Sequence, residues 1–133
     1  MKNYKLGVIG HGYVGESQSF AFSPSFELKV YDKDILKSTH KLDDVLNSDF
    51  IFVCVPTPMK KDGSQDLSYI EDFFKTAIQG PVYIIKSTVI PGTTNLLTEK
   101  FKDLKIIFSP EFLTERTAKL DILTQTRIIL GGD

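Results

Sequence analysis

The chain has 133 residues, a formal net charge of −1 at pH 7, 41% hydrophobic residues and 25% charged residues. These values predict one globular domain with its own core. They give no indication of a nucleic-acid or membrane-surface partner, and no apolar run is long enough to span a bilayer. A single cysteine, Cys54, excludes an internal disulfide and is typical of a reducing compartment. Because the first strand is expected directly after residues 1–3, with no signal peptide, we expect a cytoplasmic protein.

Short apolar runs that alternate with segments of helical spacing predict an α/β domain. Strands are predicted over residues 4–10, 26–31, 50–55, 82–86, 105–108 and 127–130. Helices are predicted over residues 12–22, from a cap at 66 or 68 to 79, and over 94–102, with at most a short helix at 41–46 and a polar segment before strand six. This pattern favours a doubly wound parallel sheet of about six strands, the Rossmann architecture, with the order 3-2-1-4-5-6. Ligands then bind outside the carboxyl ends of the strands, at the switch between strands one and four.

Three glycines follow the first predicted strand with the spacing G-x-G-x-x-G. Gly10 is expected to make a tight turn, and Gly12 to let a pyrophosphate approach the backbone. Gly15 is expected to let the following helix pack close to the strand. The N-terminus of that helix offers free N–H groups and a partial positive charge to the phosphates. This spacing therefore predicts a dinucleotide-binding loop.

A carboxylate at the end of the second strand strengthens this prediction. Asp32 follows the run 26–31 at about the distance from the glycines that dinucleotide-binding units show. A carboxylate there accepts both ribose hydroxyls of the adenosine half and repels a 2′-phosphate, which favours NAD over NADP. The alternative is a structural glycine turn with an unrelated aspartate.

Four further motifs occur in order at predicted strand ends. They are V-P-T-P at 55–58, D-G and D-L-S at 62–68, S-T-V followed by P-G-T at 87–93, and S-P-E-F-L with Glu115 at 109–115. Together they make nearly the whole chain resemble the N-terminal NAD-binding domain of the nucleotide-sugar dehydrogenases, the UDP-glucose 6-dehydrogenase family. Relatives in that group oxidise UDP-N-acetylmannosamine or GDP-mannose.

The resemblance implies a reaction and its division between an NAD-binding domain and a substrate domain. Such enzymes oxidise a sugar C6 alcohol to a carboxylate in two steps and reduce two NAD, with a thioester on a cysteine in the second step. That cysteine lies in a C-terminal substrate domain beyond a central helix, and neither is present in residues 1–133. We therefore expect NAD binding without turnover by this chain alone, and a nucleotide sugar such as UDP-glucose and a homodimer for the full-length enzyme. Cys54 does not match the nucleophile, and we expect it to pack in the core as an inert thiol.

The resemblance also implies a set of site residues. The set begins with the glycine loop and the ribose acid, Gly10, His11, Gly12, Tyr13, Val14, Gly15 and Asp32. Lys37 is implied to lie beside the adenosine ribose and Thr57 at the border of the cofactor. Thr88 is implied to contact the cofactor and to help order a catalytic water, and Glu111 to serve the water and proton-transfer network. Glu115 is implied to lie near the nicotinamide.

Each of these roles has a simpler alternative. Thr57 and Thr88 also suit the caps of turns or helices. Glu111 and Glu115 suit a solvated acidic face, and Lys37 an ordinary surface position. His11 occupies a variable position of the loop, although the near-neutral titration of histidine suits acid–base work. No cluster of cysteine and histidine indicates a metal.

Two alternatives to the dehydrogenase remain at this point. One is a stand-alone Rossmann module that senses or sequesters NAD without catalysis, and the other is a two-domain hydroxyacid dehydrogenase that shares the glycine loop. The chain also departs from the family pattern, because the connection 32–49 is short and Arg116 stands where a glycine is common.

Overall fold

The protein is described here by a computed structural model that covers residues 3–132. Met1, Lys2 and Asp133 lie outside the described residues, so the expected domain bounds of 1–133 stay a prediction at both ends. The strands are β1 (Lys5–Ile9), β2 (Glu27–Tyr31), β3 (Phe50–Val53), β4 (Val82–Ile85) and β5 (Lys105–Phe108). The α-helices are α1 (Tyr13–Phe22), α2 (Leu42–Leu46), α3 (Ser68–Thr76), α4 (Thr93–Lys100) and α5 (Ala118–Thr124), with a 3₁₀ turn at Ile35–Lys37.

All five strands form one parallel sheet. The order is β2-β1-β3-β4-β5, and β1 pairs Lys5 with Glu27 on one side and Leu6 with Phe50 on the other. Helices cover both faces, which is the arrangement that continuously apolar strands require. The predicted doubly wound α/β class is therefore confirmed.

The two faces of the sheet carry separate apolar clusters, because successive side chains of a strand point to opposite faces. Ile9, Ile51 and Tyr83 pack with α2, α3 and α4 in the larger cluster. Leu6 and Val8 belong to the smaller cluster, which α1 covers, and α5 packs against α1. Both clusters sit below the carboxyl ends of β1 and β3, so they fix the position of the loops above.

The expected strand order was wrong in one respect. The strand at residues 50–53 pairs with β1 rather than lying outside β2. The connection between β2 and β3 holds only a 3₁₀ turn and the short helix α2, and α2 contacts both β1 and β2 as the chain crosses back. Gly7 allows this crossing, because a Cβ at Gly7 would lie 2.8 Å from Val45 Cγ1. The switch point therefore lies between β1 and β3.

The expected sixth strand was also wrong. Residues 127–130 form no strand, and only an isolated antiparallel bridge between Phe108 and Gly131 ties this segment to β5. The polar segment before it instead contains α5, whose buried residues Ala118 and Ile122 lie four positions apart on one helical face. None of the helices within residues 3–132 has both the length and the apolar character that crossing a membrane requires.

Candidate functional site

The glycine turn after β1 has the geometry that its spacing predicts. Gly10 has φ of +86°, in the left-handed region, and a Cβ there would lie 2.6 Å from the carbonyl oxygen of Cys54. A Cβ on Gly15 would lie 1.9 Å from the carbonyl oxygen of Gly10. Gly12 differs, because no atom lies within 4 Å of the position of its Cβ. The turn is thus tightly packed at Gly10 and Gly15, whereas the space next to Gly12 is open.

The open side of the turn is the N-terminus of α1. Gly12 is the N-cap residue and, as a glycine, makes no side-chain capping hydrogen bond to the first N–H groups of the helix. The first N–H groups of a helix lack partners within the helix and carry a partial positive charge. An anion above Gly12 is therefore the partner that this end of α1 favours.

Asp32 directs its carboxylate at the glycine turn. Its Oδ2 accepts the backbone N–H of His11 at 2.7 Å, and its Oδ1 accepts the backbone N–H of Asp34 at 2.8 Å. Partial burial opposes ionisation, but these N–H groups and the nearby charge of Lys37 hold the pKa of Asp32 below its usual range. A carboxylate has roughly four lone-pair sites, so each oxygen keeps an acceptor site for a ligand hydroxyl.

A cavity of about 530 Å³ extends from Asp32 across the carboxyl ends of the strands. Nine predicted site residues line it: Gly10, Gly12, Tyr13, Val14, Asp32, Lys37, Thr57, Thr88 and Glu111. The sequence prediction missed several other lining residues, among them Cys54, Lys86, Ser87 and Leu113. Such a cavity, at the switch point of a doubly wound sheet, is where this fold binds ligands.

Three predicted residues lie outside the lining of this cavity. His11 contributes its backbone N–H to Asp32, while its ring Nε2 is buried and has no hydrogen-bond partner within residues 3–132. Gly15 acts through its close packing against Gly10. Glu115 is exposed and lines a separate depression between α1 and α5. The cofactor contact of Glu115 therefore stays a prediction that this cavity does not support.

A second, mainly apolar cavity of about 290 Å³ adjoins the first at Gly10 and Asp32. Tyr31, Leu42, Val55 and Phe73 contribute apolar surface to it. Lys33 lies over the ring of Tyr69 at its rim, with 5.1 Å between Nζ and the ring centroid. An apolar slot beside the ribose acid suits a flat base, and the sequence prediction did not identify its walls.

The loops after β3 and β4 are joined at the carbonyl oxygen of Thr88. Thr57 Oγ1 donates to this oxygen at 2.6 Å and Gln65 Nε2 donates at 2.8 Å. Gln65 Oε1 also accepts the backbone N–H of Ile90 at 3.0 Å. The hydroxyl of Thr57 therefore joins two loops, rather than capping a turn or a helix, and it fixes Thr88 at the cavity wall.

Glu111 lies at the other end of the cavity in a buried polar cluster. Its side chain forms an ion pair with Lys86, and the two side chains are only 6% and 7% exposed. Gln18 Nε2 donates to Glu111 Oε1 at 2.8 Å, and Lys86 Nζ donates to Ser109 Oγ at 2.9 Å. The solvated acidic face considered for Glu111 is thus wrong. The sequence analysis did not identify Lys86 and Gln18 as site residues, since neither lies in a local sequence motif of charged residues.

Cys54 lies at the end of β3, packed against the smaller apolar cluster and at the wall of the cavity. Burial raises the pKa of its thiol well above the usual range, and the charge of Lys86 opposes this only in part. Cys54 is therefore a neutral packing residue, as predicted. Within residues 3–132, no three His, Cys, Asp or Glu side chains form a group that could hold a metal ion.

Comparison with known proteins places these features in a family. The model of the UDP-glucose/GDP-mannose dehydrogenase family, NAD binding domain, matches residues 27–133. UDP-glucose 6-dehydrogenase of Streptococcus pneumoniae is 30% identical over 97% of this chain and 41% of its own length. An uncharacterized protein of Methanocaldococcus jannaschii is 37% identical over 95% of this chain and 18% of its own length. The chain thus spans less than half the length of these relatives.

Solved structures agree with the sequence comparison. A ternary complex of GDP-mannose dehydrogenase from Pseudomonas aeruginosa matches with a TM-score of 0.80 and 26% identity, over 95% of this chain and 40% of that one. The alignment with the Streptococcus pneumoniae enzyme runs over 162 positions, more than the 133 residues of this chain. That relative therefore contains residues within the matched region that this chain lacks.

The fold and the cavity together define a dinucleotide-binding domain of the doubly wound α/β class. The glycine turn, the open helix N-terminus and the carboxylate of Asp32 fit the diphosphate and adenosine ribose of such a cofactor. The chain belongs to the UDP-glucose/GDP-mannose dehydrogenase family, and its cofactor is NAD, as the sequence predicted.

Proposed function

We propose that this chain is the NAD-binding part of a nucleotide-sugar 6-dehydrogenase that oxidises UDP-glucose to UDP-glucuronate and reduces two NAD. Alone, it binds NAD and does not turn over, because the thioester cysteine and the central helix of such enzymes are not among residues 1–133. The observation that carries this proposal is the single cavity that joins Asp32 and the glycine turn to the buried carboxylate of Glu111.

The adenosine half is held by three elements of this chain. Asp32 accepts the ribose hydroxyls, and its negative charge disfavours the extra phosphate of NADP. Lys37 lines the cavity close to this carboxylate and faces the same ribose. The backbone at Gly12 and the N-terminus of α1 hold the diphosphate, which needs the open space above Gly12.

The opposite end of the cavity carries the groups for proton transfer. When bound, NAD⁺ supplies the hydride acceptor for both oxidation steps. Thr88 and Glu111 line the cavity here, and a hydroxyl and a carboxylate can orient a water for attack on a thioester. Thr57 fixes Thr88 through its carbonyl oxygen. Thr88 and Glu111 thus position the water and take its proton. The covalent step requires the cysteine of the substrate domain.

The relatives support the choice of substrate. Curated relatives from Streptococcus pneumoniae and Haloferax volcanii, at 30% and 31% identity, are named UDP-glucose 6-dehydrogenase. We therefore propose UDP-glucose rather than GDP-mannose as the sugar nucleotide. We further propose that the full-length enzyme is a cytoplasmic homodimer that binds neither nucleic acid nor membrane.

Titration of the purified chain with NADH, followed by nucleotide fluorescence, tests the cofactor proposal. We expect saturable binding that NAD⁺ competes away and that NADPH competes away less well. Incubation with NAD⁺ and UDP-glucose should produce no NADH. A folded chain that gives no saturable NADH signal contradicts the cofactor proposal, and NADH production contradicts the proposed dependence on a separate substrate domain.

A further inference from the structure

A buried ion pair between Lys86 and Glu111 lies at the wall of the cavity, and a third element of the fold adds a hydrogen bond to it. Lys86 directly follows β4, Glu111 lies in the loop after β5, and Gln18 comes from α1 on the covered face. A charge that is removed from water needs a partner and hydrogen bonds. Each partner satisfies this requirement through the other, and Ser109 Oγ accepts a further hydrogen bond from Lys86.

The two oxygens of Glu111 are used unequally. Both Lys86 and Gln18 contact Oε1. Oε2 is buried and has no hydrogen-bond partner among the residues that the structure describes. Since Glu111 also lines the cavity, the carboxylate is held from one side and keeps acceptor capacity on the other.

The position of the pair in the sheet relates it to one end of the dinucleotide. Asp32 follows β2 at one edge of the sheet, whereas Lys86 and Glu111 follow β4 and β5 beyond the switch point. A dinucleotide with its adenosine ribose at Asp32 and its diphosphate at Gly12 directs its second base toward β4 and β5. That base is the nicotinamide, which is cationic when oxidised and neutral when reduced.

We propose that Lys86 is a positioning residue that, through its ion pair with Glu111, sets the preference of this site between the oxidised and the reduced dinucleotide. This inference rests on the proposed NAD-binding function. With both charges present, their effects on the nicotinamide nearly cancel. Without Lys86, the carboxylate of Glu111 stabilises the cationic ring, and without Glu111 the ammonium of Lys86 repels it.

The other groups that face Glu111 carry no positive charge that could replace the charge of Lys86. Gln18 from α1 is an amide. Cys54 at the end of β3 stays a neutral thiol, because burial raises its pKa well above the usual range. Within residues 3–132, Lys86 is therefore the one cation in contact with Glu111.

The test compares dissociation constants of NAD⁺ and NADH for the chain and for the variants Lys86→Met and Glu111→Gln. We expect Lys86→Met to shift the ratio about tenfold toward NAD⁺, and Glu111→Gln to shift it about tenfold toward NADH. Such a factor corresponds to one charge acting over roughly 10 Å at an effective dielectric constant of about 20. The double variant Lys86→Met with Glu111→Gln should restore the original ratio.

Two controls separate this effect from changes in net charge and in folding. Lys119→Met removes a lysine that also pairs with a glutamate, Glu16, but on the surface, where both side chains are 52% exposed. It should leave the NAD⁺ to NADH ratio unchanged. ADP-ribose, which lacks nicotinamide, should bind Lys86→Met as it binds the unmodified chain.

Opposite shifts in the two single variants support the proposal, and Glu111→Gln supplies the answer if Lys86→Met does not fold. The proposal is overturned if the ratios stay unchanged while ADP-ribose binding is intact. If the unmodified chain does not bind ADP-ribose, the proposed function itself is overturned.

Discussion

Asp32 and His11 lie 21 positions apart in the chain, and the carboxylate of Asp32 accepts the backbone N–H of His11 at 2.7 Å. This bond ties the end of β2 to the glycine turn after β1. The second carboxylate oxygen accepts the backbone N–H of Asp34, so both oxygens are oriented by the protein itself. A ligand that binds there meets a carboxylate whose orientation is already fixed, which lowers the entropy cost of binding.

Asp32→Asn should weaken NADH binding by about 1–3 kcal/mol, because it removes a charged hydrogen-bond acceptor. It should also reduce the discrimination against NADPH, since the negative charge beside the 2′ position is lost. Isothermal titration calorimetry with both nucleotides measures these effects. Asp34→Asn is the matched control, because the exposed side chain of Asp34 accepts the N–H of Leu36 and does not line the cavity. Equal affinities for Asp32→Asn and the unmodified chain would place the ribose elsewhere.

Gly12 and Gly15 should respond in opposite ways to substitution. Gly12→Val should lower the melting temperature only slightly, because no atom beyond its chain neighbours lies within 4 Å of its Cβ position and its φ of −77° suits any residue, so the cost is that of valine at the N-cap. The added side chain fills the space for the diphosphate, so NADH affinity should fall at least about tenfold. Thermal unfolding and NADH titration on the same samples check both statements.

Gly15→Ala should chiefly affect stability. Its Cβ would lie 1.9 Å from the carbonyl oxygen of Gly10, so either the turn or α1 has to move. We expect a loss of about 1–3 kcal/mol in the free energy of unfolding, the usual cost of overpacking. Urea denaturation measures it. A Gly15→Ala chain as stable as the unmodified one would mean that the turn is not constrained by this contact.

Cys54 should resist alkylation in the folded chain. Burial raises the pKa of its thiol, so the reactive thiolate is scarce at and above neutral pH. Labelling with iodoacetamide at about pH 8 should be about a hundredfold slower in the folded chain than in urea. Because Cys54 is the one cysteine in the sequence, mass spectrometry reports its reaction alone. Equal rates in both states would mean that the thiol is exposed to solvent.

Local sequence patterns predicted the strands better than their order. Five of the predicted strands occur. Four are short, mainly apolar runs that must be covered on both faces, and β2 alternates Glu27 and Lys29 with apolar residues. The position of β3 depends instead on how the chain crosses between strands, and the short helix α2 above Gly7 decides it. Residues 127–130 are as apolar as a strand but are largely exposed, and pair only through Gly131.

The two ends of the site also differ in how far the sequence predicted them. The glycine turn and Asp32 were predictable, because backbone geometry demands glycine and the carboxylate follows a strand at a set distance. The contact between Gln18 and Glu111 joins residues 93 positions apart, and it exists only because the fold brings α1 next to the loop after β5. Lys86 at a strand end resembles a solvated lysine until its burial is known.

Gln65 should control the rigidity of the loop that carries Thr88. Its side chain donates to the carbonyl oxygen of Thr88 and accepts the N–H of Ile90, which links the hairpin at 59–65 to this loop. Gln65→Ala should raise the hydrogen-exchange rate of the Ile90 amide about tenfold, the upper range for loss of one hydrogen bond. Lys61→Ala, an exposed change in the same hairpin, should leave this rate unchanged. If the Ile90 amide exchanges equally in both variants, Gln65 does not control the rigidity of this loop, and Thr57→Val, which removes the other side-chain bond to the Thr88 carbonyl, is tested next.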